Sequence, residues 1–458
     1  MTTKTAALGE LAALLGDRLN RSQSDRDLHG RSESHFPPMP PDAVAYPDST
    51  AEVAAIVRIC AAAGLPVIGW GTGTSLEGHA IAPRGGVTVD FSRMNRVLDI
   101  VPGDMLVTVQ PGVKREALNT ELRATGLFFP VDPGANASLG GMTSTRASGT
   151  TAVRYGTMRQ NVLGLEVVLA DGRIIRTGTR APKSSTGYDL TALFVGAEGT
   201  LGLITEITLK LHGQPEALRA AVCAFDSMAG AVDTVIATIQ SGIPMARIEF
   251  VDAASAAAFN KGAGTGWPDA PHLMVEFHGT EGAVAEQTER FGEIAAEFGG
   301  RGFRWAARPE ERTALWAMRH NAYRMMLAAY PGSRPITTDI CVPISRLAEA
   351  VEETAAEIAA AGIPGPIVGH VGDGNFHALL LPKADDPAQW ATAQKLAGAM
   401  AERALRLGGT VSGEHGIGMG KTKYMRREHG EGWDVMGAIK AALDPQGIMN
   451  PGKLLPGN

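Results

Sequence analysis

Apolar residues in the first half of the chain repeat alternately at helical and at strand-like spacing, and glycine-rich segments separate the two kinds of repeat. Residues 49–64 open with Ser and Thr, place apolar residues at helical intervals and end at Gly64, which predicts a capped helix. Residues 114–126 predict another helix. Short apolar runs predict strands with the sequences PVIGW, VTVDF, LVTVQPG, EVVLADGRII and ITEITLKL.

The pattern changes near residues 212–217. From there on, longer helices are predicted at 226–241, 281–298, 308–330, 345–362 and 385–407, with strand-like runs between them. We therefore expect an α+β fold in three parts. These are an N-terminal helical segment at 1–35, one domain at 36–215 and a second domain with an antiparallel sheet at 216–458. The N-terminal segment carries leucines that we expect on one side of a helix: Leu8, Leu11, Leu14 and Leu15.

Composition excludes several classes of function. The net charge is −6 and no basic block is present, which argues against a nucleic-acid partner. The three cysteines are far apart, so we expect a reducing compartment without a disulfide framework. No apolar stretch approaches the ~20 residues that a membrane helix needs, and residues 1–20 lack the apolar core of a signal peptide. We therefore expect a cytoplasmic protein, with peripheral contact with a membrane as the alternative.

The 56 glycines of the chain concentrate in segments at 69–86, 134–149 and 408–420. Loops of small residues expose backbone N–H groups, which suits a phosphate or pyrophosphate. The first loop, GWGTGTSLEG, is not a Rossmann fingerprint because Leu76 stands at the third glycine position. It is not a Walker loop either, because His79 follows Gly78. The loops alone thus predict a phosphate binder and leave a plain cluster of surface turns as the alternative.

These loops, together with PGANASLGGMTSTRASG and EGTLGLIT, resemble the FAD-binding domain of the vanillyl-alcohol oxidase superfamily. The resemblance spans most of 40–215 and implies that FAD lies along them. His79 follows the first loop and is not inside it, so we expect non-covalent FAD. The resemblance implies these cofactor contacts: Gly69, Gly71, Thr72, Gly73, Thr74, Ser75, Gly78, Pro133, Gly134, Ser138, Gly140, Gly141, Ser144, Thr145, Ser148, Gly149, Tyr155, Glu198, Gly199, Gly202, Ile204 and Asn450.

Two histidines flank a turn motif in the second domain, in the sequence HVGDGNFH. An Asp-Gly pair between extended residues predicts a two-residue hairpin turn. A turn centred on Asp373 and Gly374 places His370 directly opposite His377, with their Cβ atoms ~5 Å apart on one face. Two imidazoles in that arrangement can share a divalent ion. Glu414 in the bend SGEHGIG adds a carboxylate, and His/His/Glu with an open position is a ligand set of the catalytic type.

The segments GHVGDGNFH, SGEHGIGMGK and LDPQGIMNPGKLLP resemble the C-terminal domain of the FAD-linked D-2-hydroxy acid dehydrogenases. The resemblance implies that His370, His377 and Glu414 ligate zinc or manganese, although this ligand set suits iron equally well. It also implies that His415 is the catalytic base and that the last residues, about 440–458, return to the flavin.

A predicted helix carries the sequence WAMRHNAY, in which the family resemblance assigns Arg319 to the substrate carboxylate. A guanidinium group fits a carboxylate in bidentate fashion. We also expect substrate contacts from Trp316, Tyr323 and Asn375. Enzymes that act on 2-hydroxyglutarate resemble this chain but carry a lysine where Thr337 stands, so the absence of that charge favours a monocarboxylate.

The resemblance therefore implies FAD-dependent oxidation of a D-2-hydroxy acid, with D-lactate as the expected substrate and a cytochrome or a quinone-linked carrier as the expected acceptor. Three alternatives stay open: the FAD subunit of a glycolate oxidase complex, a dehydrogenase of larger 2-hydroxy acids, and an alkyl-ether-lipid transferase of the same fold. A flavin-binding module without catalysis is a fourth. A homodimer is compatible with the sequence.

Overall fold

The computed structural model describes residues 3–306 and 308–455 of the chain. The predicted N-terminal segment and the predicted C-terminal return are described except for residues 1–2 and 456–458, which lie outside the described residues. The N-terminal segment contains α1 (Thr3–Leu15) and α2 (Gln23–His29). Three of the four leucines expected on one side of α1 are buried, whereas Leu14 is 37% exposed. The prediction for Leu14 is therefore wrong.

The first domain contains a four-stranded sheet in the order β1-β2-β4-β3. Its strands are β1 (Leu19–Asn20), β2 (Ala43–Ala45), β3 (Val67–Trp70) and β4 (Val87–Asp90). Strands β2, β4 and β3 run parallel, and α3 (Thr50–Ala63) connects β2 to β3. As predicted, Ser49 caps α3 through its side chain, and Gly64 ends it with a φ of 63°.

A second, antiparallel sheet completes the first domain in the order β5-β6-β10-β8-β9. Its strands, with the two-stranded pair β7 and β11, are β5 (Val97–Val101), β6 (Leu106–Val109), β7 (Leu127–Phe128), β8 (Val162–Val168), β9 (Ile174–Gly178), β10 (Leu203–Lys210) and β11 (His212–Gly213). Its helices are short: α4 (Arg115–Glu121), α5 (Leu139–Thr145), α6 (Ala152–Tyr155), α7 (Met158–Asn161) and α8 (Leu190–Phe194).

The second domain is built on one large antiparallel sheet in the order β15-β12-β14-β13-β18-β19-β16, with β17 also paired to β19. Its strands are β12 (Ala217–Phe225), β13 (Met245–Val251), β14 (His272–Gly279), β15 (Gly300–Trp305), β16 (Ile336–Thr337), β17 (Ile340–Cys341), β18 (Ile367–His370) and β19 (Asn375–Leu380). This agrees with the predicted α+β class.

Four helices of this domain lie near the predicted positions: α9 (Met228–Gln240), α11 (Glu281–Glu297), α14 (Leu347–Ala361) and α15 (Pro387–Arg406). Two more, α12 (Pro309–His320) and α13 (Ala322–Ala329), fall within the helix predicted at 308–330. The sequence did not predict α10 (Ala253–Ala263), α16 (Thr422–His429) or α17 (Gly432–Leu443). The single helix predicted at 308–330 is wrong. The chain leaves helical geometry at Asn321, with ψ near 8°, and α12 ends there.

The end of the chain packs against the first domain. Met449 forms a parallel bridge to Val67, so this segment extends the four-stranded sheet beyond β3. The ammonium group of Lys440 donates to the carbonyl oxygen of Thr200, and that of Lys453 donates to the carbonyl oxygen of Ile81. The last helix of the chain and the segment after it thus tie the two domains together.

Among the described residues, no helix combines the length and the apolar character that crossing a bilayer requires. The three cysteines are free thiols, as expected.

Candidate active site

A cavity of about 910 Å³ is lined by residues of both domains. At one end it is bounded by the glycine loops, and at the other by histidines and carboxylates of the second domain. Most of the predicted cofactor contacts line it, namely Gly69, Gly71, Thr72, Gly73, Thr74, Ser75, Pro133, Gly134, Ser138, Gly140, Gly141, Ser144, Thr145, Ser148, Glu198, Gly199, Gly202, Ile204 and Asn450. Residues from three loops that are separate in the sequence thus line one continuous cavity.

Close packing explains why two of these positions are glycine. A Cβ atom on Gly71 would lie 2.1 Å from the hydroxyl of Ser138, and one on Gly140 would lie 2.5 Å from Pro111. The loops can approach each other, and leave space between them for a ligand, only without these side chains.

Three predicted cofactor contacts do not line the cavity. Gly78 packs against Phe36, with a φ of 75°. Gly149 packs against the backbone of Asp132. The hydroxyl of Tyr155 lies 2.7 Å from Nδ1 of His278, outside the cavity.

Glu198 joins the flavin loops to the bend that carries the predicted base. Its carboxylate accepts N–H bonds from Ile417 at 2.7 Å and from Gly418 at 2.8 Å. Burial alone would raise the pKa of Glu198, but His79 and these two donors hold it below its usual value. The side-chain amide of Asn450 donates to the carbonyl oxygens of His79 and Glu198. These contacts fix the bend against the first domain.

His79 is a cavity residue that the sequence analysis considered only as a site of covalent attachment. It is 6% exposed and lines the cavity, and neither ring nitrogen has a hydrogen-bond partner among the described residues. Its Nε2 lies 3.3 Å from Oε1 of Glu198. In the sequence, only the position of His79 directly after the glycine loop indicated that it lines the cavity.

The hairpin that carries the two predicted metal ligands has a different register from the one expected. Val368 lies opposite His377, and His370 lies opposite Asn375, because the turn comprises four residues, 371–374. The predicted two-residue turn, with the two histidines directly opposed, is therefore wrong. Side chains alternate between faces with a period of two, so a shift of two residues keeps both histidines on one face.

The two imidazoles meet the carboxylate of Glu414. Oε1 of Glu414 lies 3.2 Å from Nε2 of His370 and 3.1 Å from Nε2 of His377. All three ligand atoms lie within 4.8 Å of one another. The structure thus brings together the three predicted metal ligands at the wall of the cavity.

The far ring nitrogens of both histidines have acceptors. Nδ1 of His370 lies 2.8 Å from a carboxylate oxygen of Glu249, and Nδ1 of His377 lies 3.0 Å from the carbonyl oxygen of Thr338. A proton on each Nδ1 satisfies these acceptors and leaves lone pairs on both Nε2 atoms. Two lone pairs then face one carboxylate oxygen, an arrangement that a shared cation stabilises. The donor set fits zinc, manganese or iron.

The pKa shifts in this cluster agree with a site for positive charge. Burial alone would lower the pKa of His370, but Glu249 and Glu414 raise it well above its ordinary value. Burial alone would raise the pKa of Glu414, but His370 and His377 hold it well below its ordinary value. The carboxylates therefore favour positive charge in this cluster, which either a proton on His370 or a cation beside the imidazoles supplies.

The predicted base, His415, stacks on His377 with ring centroids 4.9 Å apart. Burial lowers the pKa of His415 to about 4, so its imidazole is neutral at ordinary pH. Its buried Nδ1 has no hydrogen-bond partner among the described residues, and the side chain lines the cavity. A neutral imidazole open to the cavity can accept a proton.

Asp339 holds the bend in place and was missed as a functional residue by the sequence analysis. Its buried carboxylate accepts the N–H groups of Glu414 at 3.0 Å and of His415 at 2.9 Å, and the hydroxyl of Ser412 at 2.8 Å. Asp339, His377 and His415 form a second group with metal-ligand spacing. Three donors already occupy Asp339 Oδ2. We therefore place the cation at the group formed by His370, His377 and Glu414, called the His370 group below.

Arg319 lies at the end of α12, is 8% exposed and lines the cavity. Its Nη2 lies 2.6 Å from Oε2 of Glu249. Its buried Nε has no hydrogen-bond partner among the described residues, so it can bind an anion. Tyr323 also lines the cavity, as expected.

Two other expected substrate contacts lie behind the cavity wall. The indole N–H of Trp316 donates to Glu276. The side-chain amide of Asn375 donates to a carboxylate oxygen of Asp339 at 2.8 Å and to the carbonyl oxygen of Ile340 at 2.7 Å. Neither side chain lines the cavity; Asn375 supports Asp339, whereas the partner of Trp316 does not line the cavity either.

Comparison with known families assigns the class of protein. Residues 214–454 match the family of FAD linked oxidases, C-terminal domain, and residues 41–178 match an FAD binding domain. The chain therefore belongs to the FAD-linked oxidases, and its cofactor is FAD.

Among curated relatives, the chain is 47% identical to a probable mitochondrial D-lactate dehydrogenase of Danio rerio, over 99% of this chain and 93% of the relative. It is 43% identical to the mitochondrial D-lactate dehydrogenase [cytochrome] of Arabidopsis thaliana, over 98% of this chain and 80% of the relative. It is also 35% identical to glycolate oxidase subunit GlcD of Bacillus subtilis, over 90% of this chain and 89% of the relative.

Solved structures share the fold at low sequence identity. The 4-ethylphenol oxidase of Gulosibacter chungangensis is 20% identical, with a TM-score of 0.82 over 98% of this chain and 97% of that chain. An alkyldihydroxyacetonephosphate synthase is 21% identical, with a TM-score of 0.76 over 98% of this chain and 86% of that chain. The predicted fold of the vanillyl-alcohol oxidase type is confirmed.

We predict that His377→Ala abolishes binding of zinc or manganese while FAD stays bound, because His377 is one of the three predicted metal ligands and lies outside the glycine loops. Metal analysis after dialysis should fall from about one ion per chain to almost none, with the visible flavin spectrum unchanged. His272→Ala is the control, since His272 is buried outside the cavity. Full metal content in His377→Ala would contradict the assignment.

Proposed function

We propose that this chain is an FAD-dependent dehydrogenase that oxidises D-lactate to pyruvate. The observation that carries the proposal is the position of Arg319 in the same cavity wall as His370, His377, Glu414 and His415. These three groups match a 2-hydroxy acid. The guanidinium group can bind its carboxylate, the cation site can bind its hydroxyl oxygen, and the neutral imidazole can accept the hydroxyl proton. The D-lactate dehydrogenases among the relatives support this substrate.

The residues divide the reaction among them. Arg319 binds the substrate carboxylate. His415 accepts the proton of the hydroxyl group, and Asp339 orients the backbone that carries His415. FAD bound at the glycine loops would supply the hydride acceptor, and a divalent ion held by His370, His377 and Glu414 would supply Lewis acidity.

The cavity wall beside these residues favours a small monocarboxylate. Val368, Leu379, Met326 and Ala322 line it with apolar groups. Thr337 lines the cavity as well and brings no charge there. These side chains bring no cation to this part of the wall, so a distal carboxylate beside them stays unpaired, which costs binding energy. Arg324 also lines the cavity, but it is close enough to the carboxylate of Glu33 to act on it. The same wall is compatible with aliphatic 2-hydroxy acids that are somewhat larger than lactate.

The acceptor that we propose for the electrons is a separate cytochrome, as the names of the cytochrome-type relatives suggest. A quinone-linked carrier is the alternative acceptor. Those relatives are mitochondrial by name. For this chain the cytoplasmic location and the homodimer stay predictions. The glycolate oxidase subunits among the relatives keep glycolate as the second candidate substrate.

The direct test is anaerobic reduction of the bound flavin, followed by its visible absorbance, with D-lactate, L-lactate, glycolate and D-2-hydroxyglutarate in parallel. We expect D-lactate to bleach the flavin fastest, because its methyl group suits the apolar wall and the D-lactate dehydrogenases among the relatives support the D configuration. Faster bleaching by glycolate would favour the second candidate. No bleaching with any of the four would overturn the proposal and leave a flavin-binding module.

A second prediction concerns Thr337→Lys. A cation at this position can pair with a distal carboxylate, so the ratio of kcat/KM for D-2-hydroxyglutarate to that for D-lactate should rise by about tenfold. Thr337→Met adds similar length without charge and serves as the control. Equal behaviour of the two variants on D-2-hydroxyglutarate would show that the charge at residue 337 does not set this selectivity.

A further inference from the structure

Glu249 is a fully buried carboxylate on β13 that no sequence motif singled out. Strand β13 pairs antiparallel with β18, with Phe250 opposite Gly369 and Val251 opposite Val368. One residue further along this register, Glu249 lies opposite His370. Directly opposed residues have Cβ atoms ~5 Å apart, so the backbone pairing itself puts the carboxylate beside the imidazole.

The two oxygens of Glu249 contact two different functional groups. Oε1 accepts from Nδ1 of His370 at 2.8 Å, and Oε2 lies 2.6 Å from Nη2 of Arg319. One rigid carboxylate on a central strand therefore bridges a metal ligand and the guanidinium group at the end of α12. It lies behind both groups and does not line the cavity.

This bridge matters because of the chemistry of the substrate. In a 2-hydroxy acid the carboxylate and the hydroxyl are on adjacent carbons, so their two binding groups must be held at one short separation. Arg319 is on a helix and His370 is on a strand, so no single element of secondary structure fixes the separation of their side chains. A shared buried anion restricts both, and also compensates the charge of a buried guanidinium group.

We propose that Glu249 is a positioning residue that couples Arg319 to His370 and thereby sets the spacing that selects 2-hydroxy acids over 3-hydroxy acids. This inference rests on the proposed function, since it takes Arg319 as the carboxylate anchor. A second part of the inference does not depend on the substrate. Loss of Glu249 weakens cation binding at His370, even without substrate.

Two substitutions separate the two contacts. Glu249→Gln keeps the volume and an oxygen that can accept from His370, but removes the negative charge beside Arg319. Glu249→Leu removes both contacts. Glu166→Gln is the matched control, because Glu166 is also a buried carboxylate with an arginine partner, Arg176, but does not line or support the cavity.

The measurements use the FAD-loaded full chain. By equilibrium dialysis with Mn²⁺, we expect Glu249→Leu to raise the dissociation constant by about 10–100-fold and Glu249→Gln to raise it less. In steady-state assays with D-lactate, Glu249→Gln should raise KM by about tenfold with a smaller effect on kcat. Its preference for D-lactate over D-3-hydroxybutyrate in kcat/KM should fall by about tenfold as well.

Different results would overturn the coupling by Glu249 and the proposed function. Wild-type Mn²⁺ affinity in Glu249→Leu, or an unchanged preference for D-lactate in Glu249→Gln, overturns the coupling, and so does an equal change in Glu166→Gln. If Glu249→Leu does not fold, Glu249→Gln still decides through its KM and its preference. If the wild-type chain does not oxidise D-lactate, the proposed function fails, whereas the Mn²⁺ affinities continue to test the link between Glu249 and His370.

Discussion

The burial of the Glu414 carboxylate between two imidazoles is the constraint on which the rest of the site depends. Glu414 shares one oxygen between Nε2 of His370 and Nε2 of His377 at 3.1–3.2 Å. Removing a carboxylate from water is costly, and positive charge at close range must compensate it. The strand register, the turn and the bend at 412–418 together keep these groups within reach of one another. The chemistry that we propose follows from that concentration of opposite charges at the wall of a cavity.

The second requirement is that the bend carrying Glu414 and His415 does not move relative to the flavin loops. Asp339 holds it from the second domain, through the N–H groups of both residues. Glu198 holds it from the first domain, through the N–H groups of Ile417 and Gly418. Two buried carboxylates from different domains thus clamp a glycine-rich segment that has little regular structure of its own. Glycine gives this segment the close approach that the clamp needs, since a Cβ atom on Gly418 would lie 2.1 Å from the backbone of Glu77.

Local patterns predicted much of this structure because they depend on neighbouring residues. The caps of α3 and most of the long helices of the second domain follow from spacing within short windows. Spacing in the glycine loops indicated only a phosphate binder, and the family resemblance identified the residues that line the cavity. The grouping of His370, His377 and Glu414 was predicted as well. The predicted register was wrong, and the two histidines still share a face only because the shift is two residues. Glu249 and Asp339 could not be predicted in the same way. Each acts through a partner more than 30 residues away. The pairing of β13 with β18 places Glu249 beside His370, and the tertiary packing of the bend at 412–418 places His415 beside Asp339. The break at Asn321 was missed because the apolar pattern continues through it.

The most direct test of the central claim is the location of a metal ion by anomalous X-ray scattering from crystals of the FAD-loaded chain grown with Zn²⁺. The account predicts a strong peak about 2.0–2.2 Å from Nε2 of His370, from Nε2 of His377 and from a carboxylate oxygen of Glu414. A peak ligated by Asp339, His377 and His415 would contradict it, and so would crystals with no peak at the His370 group.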